Sequence, residues 1–135
     1  MRQIVKLDNY KAGDVIIKEG THGQVIFLIT KGKVEIAKIL DGKKLVIETL
    51  GPGDIFGEMS FVDSEPRSAT AMAIEDAEVA LLDKIALDGE FNKLSADVRE
   101  IIKTLVERLR KTTRKTVALS VELHNLRKER SKIIK

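Results

Sequence analysis

Residues 94–135 contain neither glycine nor proline, and apolar or small residues recur through them at alternating spacings of four and three. Val98, Ile102, Leu105, Leu109, Thr112, Thr116, Leu119, Leu123, Leu126 and Ile133 occupy one stripe, with Arg130 as its charged exception. A stripe kept for about five heptads predicts one long helix that pairs with another. At 1.5 Å per residue such a helix runs roughly 60 Å. The preceding part of the chain is too small to cover that length, and a helix folded back on it would be covered over its first turns only. A partner helix is therefore expected, most simply from a second copy, giving a homodimer through residues 98–133.

Residues 1–93 carry a different pattern. Short β-branched runs alternate with turn signals: Val15-Ile16-Ile17, Val25 to Ile29, Val34 to Leu40, Leu45 to Leu50, Ser68 to Ile74 and Val79 to Leu82. Asp41-Gly42 marks a tight hairpin because both residues accept positive φ. Strands recurring about every 8–12 residues predict an antiparallel sandwich or barrel. The expected organisation is thus a β domain over residues 1–93 and a long helix over 94–135.

Composition removes several functions. The chain has no cysteine, so disulfides, thiolate metal sites and cysteine nucleophiles are excluded. The two histidines, His22 and His124, form no metal-ligand spacing and no catalytic set; the chain is not expected to be an enzyme or to hold a metal. No apolar run approaches membrane-spanning length, and the first residues carry no apolar leader. The expected location is the cytoplasm. From residue 94 onward there are 12 Lys/Arg against 5 Asp/Glu, whereas residues 1–93 hold 12 against 16. The basic helix reads first as a solvated face, and second as a surface for an acidic partner.

The segment from Ile55 to Ala71 carries the chemistry. Within it, Gly57-Glu58 is followed, after eight intervening residues, by Arg67-Ser68-Ala69-Thr70. A cyclic phosphodiester spreads one charge over two exocyclic oxygens, which a planar arginine fork can meet together. A hydroxyl such as Ser68 adds a donor. Gly57 permits close backbone approach, and Glu58 to Asp63 can form one helical turn whose amides add positive partial charge. A ribose hydroxyl needs an acceptor, which Glu58 supplies.

This pattern resembles the phosphate-binding cassette, here residues 56–70, of the cyclic-nucleotide-binding domain family. Tyr10-Lys11-Ala12-Gly13-Asp14-Val15-Ile16, Gly20, Phe27-Leu28-Ile29, Lys31-Gly32-Lys33-Val34 and Leu50-Gly51-Pro52-Gly53-Asp54 frame it in the family's order. The resemblance implies an eight-stranded jelly-roll-like β-roll, then a short helix and a long C-terminal dimerisation helix. It also implies that Glu58 binds the ribose, and that Arg67 and Ser68 bind the cyclic phosphate with backbone help around Gly57 and Met59. Arg108 to Thr113 is similar to the dimerisation helix of the family's bacterial catabolite-activator branch, where a Thr-Ser pair reads the adenine amino group, one hydroxyl from each subunit. Thr112 and Thr113 take those positions. In this family a threonine directly after the cassette arginine favours cyclic GMP; Ser68 stands there and is permissive for either base. Cyclic AMP is the expected ligand and cyclic GMP the second candidate.

Two other readings follow from the same residues. The chain could be the ligand-binding part of a transcription regulator of that branch without its DNA-binding domain. No helix-turn-helix follows the long helix, so nucleic acid is not an expected partner. Alternatively it could be a dimerising module that keeps the fold and binds nothing, although Glu58 and Arg67 are both retained.

Overall fold

Strands form at all six β-branched runs, as residues that pack well on a pleated, half-buried surface should, and at two further segments, 4–10 and 55–56, giving eight among the described residues. The computed structural model describes residues 3–134; residues 1, 2 and 135 of the two expected parts lie outside the described residues. The strands are β1 (Ile4–Tyr10), β2 (Val15–Ile17), β3 (Phe27–Lys31), β4 (Val34–Leu40), β5 (Lys43–Leu50), β6 (Ile55–Phe56), β7 (Thr70–Ala73) and β8 (Ala77–Leu82). They make two antiparallel four-stranded sheets, β1-β8-β3-β6 and β2-β7-β4-β5. The expected β-roll is thus the fold observed. The β4–β5 hairpin turns at Asp41 and Gly42, with φ of 52° and 73°.

Alternation sends one face of each sheet inward. Ile17, Phe27, Ile29, Val34, Leu50, Phe56, Ala71 and Val79 form the shared core. Phe27 and Phe56 face each other in the β3–β6 register and stack with centroids 5.1 Å apart. That contact fixes Phe56 just before Gly57, so the cassette leaves the sheet from a rigid point.

Three helices complete the described residues: α1 (Glu58–Asp63), α2 (Lys84–Lys93) and α3 (Ala96–Ile134). The side chain of Asp83 caps α2 by accepting from the amides of Ile85 and Ala86. Phe91 of α2 meets Phe61 of α1 edge-on at 6.1 Å. The long helix starts at Ala96, two residues later than the expected boundary at residue 94. Leu94 is extended, and the Ser95 hydroxyl accepts from the Val98 amide as the N-cap.

The largest difference from expectation lies in how far the roll covers α3. Coverage is not confined to the first turns: Val117, six turns in, is 2% exposed. Ile102, Val106, Arg110, Thr113, Val117 and Val121 form a buried or half-buried stripe. Lys43 in β5 also touches His124 of α3. The expected seam therefore holds a second face of the same helix. Val98, Leu105, Leu109, Leu119, Leu123, Leu126 and Ile133 are all at least 41% exposed. Ile102 departs from that seam, being half-buried, while Ile101 is 59% exposed. Among the described residues no helix is long and apolar enough to cross a membrane.

Candidate functional site

The turn from β6 into α1 is built on Gly57, which stands at φ 86° as the N-cap of α1. A Cβ there would lie 2.8 Å from both Arg67 Nη1 and the Val25 carbonyl. Glycine is thus required twice, by the left-handed backbone and by the closeness of Arg67. Having no side chain, Gly57 also leaves the first-turn amides of α1 without a side-chain cap.

Arg67 is 7% exposed. Its Nη1 donates to the Gly57 carbonyl at 2.9 Å and its Nη2 to the Val25 carbonyl at 3.0 Å. Its own backbone pairs with the loop before β3: the amide donates to Thr21 O, and the carbonyl accepts from Gly20 N. On another side, a Cβ at Gly23 would come within 3.1 Å of Nη2. The guanidinium therefore sits between two glycine backbones. Burial lowers its pKa from the usual arginine value; the Glu58 carboxylate pushes it back up, and Arg110 lowers it further. A buried cation held by neutral carbonyls has no anion bonded to it, so its site favours one.

Arg67 borders a cavity of about 180 Å³ whose lining includes Gly57, Glu58, Met59, Ser60, Ser68 and Ala69. The core residues Ile17, Leu50, Phe56 and Ala71 line it from below, and the exposed Ile47, Glu48 and Leu109 stand at its rim. Five expected residues, Gly57, Glu58, Met59, Arg67 and Ser68, are thus brought together, and Thr113 joins them from α3. Thr112 is not in this lining and is exposed on the outer face of α3. No group of three or more His, Asp or Glu side chains that could hold a metal occurs among the described residues.

Several site residues were not foreseen. Gly23 reads in sequence as an ordinary turn glycine, and nothing local marks the Val25 carbonyl. Arg110 reads as part of a basic helix surface, yet its side chain is only 10% exposed. It holds Asp63 through Nε–Oδ2 at 2.5 Å and Nη2–Oδ1 at 3.0 Å, and donates to Pro66 O at 3.2 Å and Ser60 Oγ at 3.3 Å. One signal was available: Arg110 lies within the stripe that runs from Val106 to Thr113 and Val117.

A glycine-tethered, buried arginine thus stands over a small cavity within residues 56–70, the segment that resembles the cassette. Residues 7–93 match the family model described as "Cyclic nucleotide-binding domain". The chain belongs to the cyclic nucleotide-binding domain family. A cyclic AMP receptor protein from Thermus thermophilus is 36% identical over 114 residues, covering 84% of this chain and 53% of the relative. The solved catabolite activator protein of Thermus thermophilus superposes with a TM-score of 0.64 at 33% identity, over 85% of this chain and 55% of that one. An EAL enzyme in its cAMP-bound form superposes with a TM-score of 0.78 at 28% identity, over 89% of this chain and 32% of the enzyme. The chain spans about half the length of the curated receptor and regulator relatives it matches.

In this cyclic nucleotide-binding domain, Gly57→Ala should cost about 1–2 kcal/mol through the left-handed backbone alone and displace the Arg67 fork. Urea denaturation measures the first effect. A variant as stable as the unaltered chain would show that the Gly57 turn is not under the constraint described.

Proposed function

We propose that this chain is a non-catalytic sensor that binds a 3′,5′-cyclic nucleotide, with cyclic AMP as the first ligand and cyclic GMP as the second. The observation that carries the reading is Arg67: a buried guanidinium, fixed by two backbone carbonyls, bordering a cavity with donors of its fork still free. The cyclic phosphate would take those donors together with the Ser68 hydroxyl, and Glu58 would accept from the ribose.

The cavity's size divides the ligand. About 180 Å³ is below the roughly 300 Å³ at which sites for drug-sized molecules begin. That suits a ribose and its cyclic phosphate, and leaves the base at the rim against Leu109 and Thr113. A threonine hydroxyl both donates and accepts, so Thr113 can serve adenine or guanine. Support for cyclic AMP comes from the cyclic AMP receptor relative and the cAMP-bound enzyme. The same enzyme in its cGMP-bound form superposes with a TM-score of 0.74, which keeps cyclic GMP as the second ligand.

The output is a ligand-linked dimer. The outer stripe of α3, from Leu105 through Leu126, is largely apolar and exposed, whereas the helix meets the cavity at Thr113 of the inner stripe and at Leu109 on the border of the two. One helix thus carries a sensing face and a pairing face. Ligand biases the pairing only through unequal affinity for two arrangements of α3. Thr112, on the outer side, lies with the pairing face.

Titration calorimetry with cyclic AMP and cyclic GMP tests the sensor. Binding is expected, and Arg67→Ala should weaken it by about 2–5 kcal/mol, the range for truncating one partner of a buried charge pair. No heat and no thermal shift at near-millimolar nucleotide would remove the reading. Sedimentation tests the pairing face: Leu123→Glu should shift the chain from dimer to monomer without changing its β-sheet circular dichroism. A dimer that survives would place the interface elsewhere.

A further inference from the structure

The bonds of Arg110 all run to one place. Ser60 and Asp63 belong to α1, and the Pro66 carbonyl belongs to the peptide unit that leads into Arg67. A single side chain of α3 therefore holds the cassette helix and the approach to the phosphate-binding arginine. Asp63 is itself ordered, since its Oδ1 also accepts from the Glu65 amide at 3.0 Å. The pair is well shielded, with Arg110 10% and Asp63 17% exposed. At that burial a bidentate carboxylate–guanidinium contact is strong and geometrically demanding.

Its position along α3 gives the contact a consequence for the cavity. Leu109 precedes Arg110 and Thr113 follows it by three residues, and both line the cavity. Helix geometry ties their placement to whatever fixes this turn of α3 against the cassette. The Arg110 fork combines charge, two-point geometry and hydrogen bonds to three cassette residues.

We propose that Arg110 is a positioning residue: through Asp63, Ser60 and the Pro66 carbonyl it presets α3 so that Leu109 and Thr113 stand where the nucleotide base arrives. The inference rests on the cyclic-nucleotide reading for its ligand, but its structural half stands without one. A preset surface contributes affinity because the ordering of α3 has been completed before the ligand arrives. The phosphate grip at Arg67 uses other atoms, so the two contributions separate.

The probes are cyclic AMP and ribose 3′,5′-cyclic phosphate, which lacks the base. Arg110→Met should weaken cyclic AMP by about tenfold or more and the base-free compound by clearly less, since the Arg67 fork itself is held by the Gly57 and Val25 carbonyls. Arg110→Lys, which keeps the charge but not the fork, should fall between. A purely structural role would move both ligands equally, and that outcome overturns the proposal, as does an unchanged affinity for cyclic AMP. Hydrogen exchange on the ligand-free chain reads the structural half: Arg110→Met should raise exchange at the amides of residues 106–117 while those of β3 and β8 keep theirs. Unchanged exchange in α3 overturns the inference whatever the ligand. If the unaltered chain binds neither compound, the cyclic-nucleotide reading fails, and the exchange result alone decides the role of Arg110.

Discussion

A buried guanidinium governs the architecture around it. Arg67 is far from any place where a lone cation is comfortable, and the carbonyls of Gly57 and Val25 hold it there. Removing a charge from water costs several kcal/mol unless bonds replace the lost hydration. Those bonds demand that two stretches of backbone approach the fork closely. Gly57 and Gly23 meet that demand by having no Cβ. The Phe27–Phe56 stack holds the start of the cassette, and the Gly20–Thr21 loop holds the backbone of Arg67 itself. The roll is thus a frame that keeps one cation partly unsatisfied beside a cavity, which is the condition for binding an anion tightly.

The long helix extends that condition beyond the roll. Its inner stripe is covered as far as Val117 and Val121, and its outer stripe is exposed apolar surface. Neither stripe explains the helix alone. An inner stripe by itself would describe a helix folded onto its own domain, and an outer stripe by itself would describe a plain coiled coil. Together they give an element that touches the cavity on one side and can touch a second chain on the other. Two arrangements of such a helix differ both in the rim they offer a base and in the surface they offer a partner, so the two events can be linked.

Most of the fold was legible because its signals are local. Alternating β-branched runs, the Asp41-Gly42 turn and the change of period near residue 94 each follow from rules acting over a few residues. The cassette was legible because Gly57, Glu58, Arg67 and Ser68 form a dense pattern in one segment. What sequence could not show depends on distant approach. The carbonyl of Val25 is a backbone group and carries no residue signal. Gly23 answers to Arg67, which lies 44 positions later in the chain. The inner stripe of α3 was hidden because a heptad pattern draws the eye to one face, although Val106, Thr113 and Val117 recur at helical spacing beside it. Arg110 was masked by its basic neighbours. Thr112 and Thr113 were read as a pair drawn from two subunits; a 100° step per residue separates adjacent helix positions, and within one chain Thr113 is the member of the pair that lines the cavity.

The central claim is that one cyclic nucleotide engages the Arg67 cavity and α3 together. Backbone amide NMR of the labelled chain, titrated with cyclic AMP, tests it most directly. The account predicts that Gly57 to Ser60, Arg67 to Thr70 and Leu109 to Val117 shift along a common saturation curve. Shifts confined to the cassette, with α3 unmoved at saturation, would contradict it.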